Sequence, residues 1–159
     1  LVTDNYRKRR SLAEQTQANP SGMRNPDPDK LRAARAWAKA YNSFDMTDVE
    51  PLIDENVRYS SMWVFEEMVG GVNYLDYLRA KLVAIRNSGL LVSAEIAETR
   101  SYPMYPLREQ PCVYVRHQSG DETREAVVLF EVDNGQITQI SMTGIPIPST
   151  VYRTGEIPL

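Results

Sequence analysis

One histidine and one cysteine are all that this chain of 159 residues holds of the usual nitrogen and sulfur metal ligands. A structural or catalytic zinc needs three or four such groups at set spacing, and the acids here are scattered, so no metal is expected. Cys112 has no partner for an internal disulfide, and its apolar run, PCVYV, suits a buried free thiol. A reducing, cytoplasmic setting is the expectation. Long apolar runs are missing too. No window approaches the roughly 18 consecutive apolar residues that mark a membrane span. No charged start leads into an apolar h-region, so neither a membrane partner nor a secretory leader is expected. Positive charge is also short: lysine and arginine total 18 against 21 aspartate and glutamate, a net −3. The molecule as a whole therefore has no general attraction for nucleic acid. Its basic run, YRKRR at Tyr6–Arg10, reads as a solvated terminal segment.

What is present suits one soluble globular domain, with 42% apolar and 25% charged residues. Residues 1–29 carry QANPSGMRNPDPDK, rich in Pro, Asn, Ser and Gly, and read as an arm with a short helix near Ser11–Gln17. Residues 30–145 carry the domain, and 146–159, with three prolines, form a tail that cannot continue a sheet interior. Within the domain, Asp27 or Asp29 caps a helix on which Leu31, Ala34, Trp37, Ala38 and Tyr41 form one apolar stripe. A second short helix is expected from Thr47, and a third places Leu75, Leu78, Leu82 and Ile85 inward before stopping at Gly89. After Gly89 the apolar period changes from 3.6 to 2, giving four strands, with hairpin turns at QSGDE and DNGQ.

The stretch ENVRYSSMWVFEEMVGG, residues 55–71, reads as a strand and a second short strand. Its alternation sets Val57, Tyr59, Ser61 and Trp63 on one face and Arg58, Ser60 and Met62 on the other. An inward face with a phenol, a hydroxyl and an indole is either a cavity lining or core packing with polar tips. Gly70-Gly71 ahead of a helix lacks the fuller glycine pattern of a phosphate loop and reads as a turn, so no cofactor is expected.

The order of helix, short helix, strand pair, helix and antiparallel meander implies an α+β architecture. AYNSFDMTDVEPLIDENVRYSS and the closing VVLFEVDNGQITQISMTG resemble the nuclear-transport-factor-like, SnoaL-like superfamily of ketosteroid isomerases, polyketide cyclases, limonene-epoxide hydrolase and scytalone dehydratase. The resemblance spans roughly residues 30–145. It implies a cone-shaped barrel, a strongly curved mixed or antiparallel sheet on three N-terminal helices, with a pocket inside and a homodimer seam on the outer sheet face. Tyr114, Val127 and Leu129 fall at the parity of that seam.

The chemistry of these relatives does not carry over. By the resemblance, the isomerase tyrosine falls on Trp37, its carboxylate base on Ser61 and its second acid near Val128. A serine without a nearby base does not abstract protons at neutral pH. Of the epoxide-hydrolase set, Tyr59 keeps the tyrosine and Ser61 replaces the asparagine. His117 takes the arginine position, and the two acids fall near Ser119 and Met142. Scytalone dehydratase uses two histidines; here Tyr41, Tyr59 and His117 remain without a partner base. Histidine suits proton transfer near neutral pH, but an unaccompanied one at a strand end is also an ordinary structural residue. Three expectations follow. The first is a pocket for a small apolar molecule with a few hydrogen-bonding groups, lined by Trp37, Tyr41, Tyr59, Ser61, Trp63, His117, Val128 and Met142. The second is a lyase, isomerase or cyclase using His117 with Tyr59 or Tyr41 as an acid–base pair. The third is a homodimeric interaction module.

Overall fold

A computed structural model describes residues 25–101, 108–145 and 150–159. The basic run Tyr6–Arg10, the expected helix near Ser11–Gln17 and most of the proline-rich link after Arg100 lie outside the described residues. The first helix, α1, runs Pro28–Ser43. The Asp27 carboxylate accepts from the backbone N–H of Asp29 at 3.0 Å and of Lys30 at 3.1 Å. Pro28 opens the first turn, where its missing N–H costs nothing. Leu31, Ala34, Trp37, Ala38 and Tyr41 are all buried, as are Ala33, Ala36 and Ala40, whose small side chains let α1 lie close on the sheet.

The expected second helix does not form. Asp45 Oδ1 accepts from the Thr47 N–H at 2.9 Å and from its hydroxyl, closing a turn rather than a helix start. Pro51 removes one N–H and crowds the preceding carbonyls, so only a single 3₁₀ turn, Glu50–Leu52, follows before the chain extends at Ile53. Among the described residues there are two α-helices, not three.

The strands are β1 (Ile53–Ser61), β2 (Val64–Val69), β3 (Leu91–Thr99), β4 (Gln110–Ser119), β5 (Glu122–Asp133), β6 (Gln136–Thr143) and β7 (Val151–Arg153). They form one sheet in the order β2-β1-β6-β5-β4-β3-β7. All neighbours are antiparallel except β1 and β6, which run parallel with Tyr59 opposite Ile140. This overturns the expected cone-shaped barrel. β2 and β7 are free edges at opposite ends of a linear order, so the sheet is open, neither closed into a barrel nor strongly curled. The reason is visible in the layering. Helix α1 covers β3, β4 and β5, while α2 (Gly71–Ser88) covers β1 and β2, so one apolar face is buried without the strands having to wrap around it.

Two glycines shape this arrangement. At the β5–β6 turn Asn134 and Gly135 take φ of 49° and 75°, the positive pair that a tight hairpin requires. At the start of α2, a side chain on Gly71 would meet the Asp54 carbonyl oxygen at 2.8 Å, so glycine lets the helix rest on β1. Helix α2 turns Tyr74, Leu78, Leu82 and Ile85 inward and leaves Leu75 half-buried. The expected line therefore holds at three positions and shifts by one residue at the fourth. A smaller cluster on the far face of the sheet joins Ala97, Cys112, Tyr114 and Val127, with Leu129, Ile145 and Val151 against it. Beyond β7 the chain stays anchored. The Ile96 N–H donates to the Glu156 carbonyl, and Asn42 Nδ2 bridges the carbonyls of Ala94 and Pro158, both at 2.8 Å.

Candidate functional site

Aromatic side chains from four elements meet where α1 faces β4 and the β1–β2 turn. Trp37 and Tyr41, one turn apart on α1, stack with ring centroids 4.5 Å apart. Phe130 of β5 meets Trp37 edge-on at 6.2 Å. Tyr41 also stacks with His117 of β4 at 5.8 Å and 11°, and His117 reaches Trp63 at 6.0 Å. The series Phe130, Trp37, Tyr41, His117, Trp63 thus runs from full burial to a ring that is 40% exposed. On the α2 side, Tyr59, Tyr74 and Tyr77 lie within 6.5 Å of one another.

The polar tips divide into satisfied and unsatisfied groups. Trp37 donates its indole N–H to the Tyr74 hydroxyl at 2.8 Å, and the Tyr59 and Tyr77 hydroxyls lie 3.5 Å apart. Ser61 Oγ accepts the Trp63 N–H at 3.2 Å, which fixes the turn that presents the indole. By contrast, the Tyr41 hydroxyl and His117 Nε2 are buried with no hydrogen-bond partner among the described residues. Such groups are uncommon in folded proteins and cost about 1–3 kcal/mol each while they stay unpaired.

Lys81 of α2 completes the arrangement. Its Nζ lies 5.7 Å from the ring centroids of Tyr41 and Trp63 and 5.8 Å from that of Tyr77, within cation–π range of all three. Burial pushes its pKa down to about 8, with no carboxylate acting in the opposite direction. His117 falls to about 4, through burial first and then the charges of Lys81 and Arg124, so its ring is neutral at pH 7. Burial raises the Tyr41 and Tyr59 phenols far above their ordinary range, the Tyr77 hydroxyl adding to the effect on Tyr59.

These values bear on proton transfer. No hydrogen bond links His117 to Tyr41 or Tyr59, and no carboxylate orients its ring. Asp121 and Glu122, close to it in sequence, are exposed. Burial thus works against charge on the imidazole and on the phenols alike. Among the described residues, no group of three or more His, Cys, Asp or Glu is placed to hold a metal ion.

Of the residues expected at a site, Tyr41, His117 and Trp63 come together in one series, in which Tyr41 is buried, His117 is half-buried and Trp63 reaches solvent. Trp37 and Tyr59 lie buried beneath them, and Ser61 supports the turn. Val128 and Met142 face each other across β5 and β6 within the core. Sequence reasoning missed Lys81 and Tyr77. The signal was there: in VNYLDYLRAKLVAI, Tyr74, Tyr77, Leu78, Lys81, Leu82 and Ile85 recur at three and four, so one lysine sits on the apolar stripe. Two surface depressions are lined by other residues. One, of about 360 Å³, holds Phe44, Glu50, Arg79 and Arg86. The other, of about 520 Å³, holds Arg35, Lys39, Asp48 and Glu156.

No protein-family model matches the sequence, and no curated protein matches it. Solved structures do match. An LEH-like epoxide hydrolase of M. tuberculosis is 20% identical, with 75% of this chain and 81% of that chain covered and a TM-score of 0.51. A protein from Kribbella flavida DSM 17836 is 13% identical over 77% and 92%, with a TM-score of 0.53. A de novo designed protein with a curved β-sheet is 15% identical over 76% and 88%, with a TM-score of 0.51. Identities this low establish a shared fold, and a fold alone does not carry an activity. Among the described residues, no helix is long and apolar enough to cross a membrane. With helices on one face of a mixed sheet and this set of structural neighbours, the chain has a nuclear-transport-factor-like α+β fold, and identities of 13–20% show that fold alone.

Proposed function

We propose that the protein binds a small, largely apolar molecule where its aromatic cluster reaches solvent at Trp63, against His117, Lys81 and Tyr77 and next to the buried Tyr41. The observation that carries this reading is the pair of buried, unpartnered polar atoms, Tyr41 Oη and His117 Nε2, within a cluster whose outermost ring, Trp63, reaches solvent. A site that leaves polar groups unpaired in the free protein recovers that cost when a ligand supplies the missing partner. Trp37, Tyr59, Val128 and Met142 form the packed support beneath. Ligand contact falls to the rings above them.

The test is a thermal-shift screen with apolar ring compounds carrying one or two hydrogen-bonding groups. Ligands are expected to stabilise the protein, less so after Trp63→Ala and after Tyr41→Phe. If no compound stabilises the parent protein, or if the shift is untouched by both substitutions, the reading fails.

Self-association through the outer sheet face is a separate proposal. Tyr114 and Val127, two of the three residues at that parity, are already buried within the chain and leave little apolar area for a second copy. Sedimentation decides it, and a monomer at high concentration removes it.

A further inference from the structure

The polar groups at this site share one property: every one that lacks a partner can donate a hydrogen bond, and no acid stands among them. Lys81 is a donor only, with three N–H bonds. The Tyr41 hydroxyl donates, and His117 Nε2 donates in one of the two neutral tautomers. The Lys81 Nζ sits among three rings at 5.7–5.8 Å, and among the described residues no hydrogen bond or ion pair holds it. Other cations nearby are paired. Arg79 meets Asp76 at 3.1 Å and approaches Glu50, while Arg124 lies 3.8 Å from Glu122. Lys81 is thus a partly buried positive charge for which the described residues supply no counter-charge. Ring faces hold a cation but leave its N–H groups without acceptors.

From this geometry we infer that the ligand is an organic acid, an apolar ring system bearing a single carboxylate that docks on Lys81 and accepts hydrogen bonds from Tyr41 and His117. The inference rests on the ligand-binding reading above and names its chemical class. Lys81 Nζ lies over the Tyr41 ring on which His117 stacks, so the three donors sit on neighbouring side chains. A carboxylate offers them two acceptor oxygens with four lone-pair sites, and an amide or alcohol of the same shape leaves the ammonium uncompensated. A basic ligand is disfavoured, because it places a second positive charge beside Lys81 in a site with no acid. The apolar body has the 40%-exposed Trp63 to lie on.

The experiment compares naphthoate and adamantane carboxylate, each against its primary amide, by calorimetry on the full chain, the Lys81→Met variant and the Lys81→Arg variant. The carboxylates are expected to bind at least about ten-fold more tightly than the amides, the ratio that a charge pair worth about 1.4 kcal/mol produces. In Lys81→Met the ratio collapses toward one while the amides still bind, and Lys81→Arg retains most of it. Amides that bind as well as the acids, or a ratio unchanged in Lys81→Met, overturn the acid assignment and leave the ligand-binding reading standing. Failure of all four compounds to bind the parent protein overturns both. Loss of amide as well as acid binding in Lys81→Met, with the variant still folded by circular dichroism, overturns the assignment of Lys81 as counter-charge in favour of a packing role.

Discussion

Trp37 and Tyr74 are joined by a buried hydrogen bond of 2.8 Å that ties α1 to α2 across the core. The two residues differ in what their loss leaves behind. Tyr74→Phe strips the acceptor and leaves an indole N–H unpaired, which is expected to cost about 1–3 kcal/mol. Trp37→Phe orphans the Tyr74 hydroxyl and opens a void as well, so it is expected to cost about 3–4 kcal/mol. The double variant should be less destabilised than the sum of the singles. Urea unfolding of all four proteins measures the coupling, and strict additivity would show that the bond contributes nothing of its own.

His117 gives the protein an acid-sensitive element. The unfolded imidazole protonates near 6.5 and the folded one near 4. Between those values the unfolded state holds more protons, so stability is fully present above pH 6.5 and is lost as pH falls toward 4. Allowing for partial exposure, the loss amounts to about 2 kcal/mol. His117→Gln should flatten this limb without altering stability above pH 7, as read from melting temperatures across that range. An unchanged limb in the variant would place the acid sensitivity elsewhere.

Lys81 acts at the other end of the pH scale. Its folded pKa of about 8 lies below the ordinary 10.5, so between these values only the unfolded chain holds the proton and stability rises with pH. Below pH 8 the burial of its charge is a constant cost, partly offset by the three ring contacts. Lys81→Met is therefore expected to stabilise the protein at pH 7 by about 1–2 kcal/mol and to abolish the alkaline rise. A destabilised variant would mean that the ring contacts outweigh desolvation.

Tyr41→Phe separates stability from binding. Removing a buried hydroxyl that has no partner should leave the free protein unchanged or more stable by about 1 kcal/mol. The same change should weaken ligands that need the donor. Thermal melts with and without ligand report both effects, and a large loss of stability in the free variant would reveal a partner for the hydroxyl.

Much of this molecule can be read from its residues. The alternation through Val57, Tyr59 and Ser61 and the stripe on α1 are local patterns of apolar spacing, and burial follows them. The Asn134-Gly135 turn is equally local, because positive φ selects those residue types. What escaped reading depends on distant parts of the chain meeting. Whether a sheet closes is set by how its two edge strands lie relative to each other, and nothing within β2 or β7 encodes that. The second helix failed on a feature that was in view: Pro51 leaves too few residues for a helix to propagate. Lys81 was legible as a lysine on an apolar stripe, yet only the fold shows that Tyr41 and Trp63, from two other elements, surround it.

The parallel pairing of β1 with β6 sets an order of events. Strands β3 to β6 can zip through neighbouring hairpins, whereas Tyr59 must wait for Ile140, far along the chain, before it has a neighbour on that side. The β1–β2 hairpin, which carries Trp63, is therefore expected to dock last and to loosen first. Hydrogen exchange should find its amides less protected than those of β4 and β5. A small molecule seated on that hairpin would then act as a clasp, slowing unfolding more than it speeds folding.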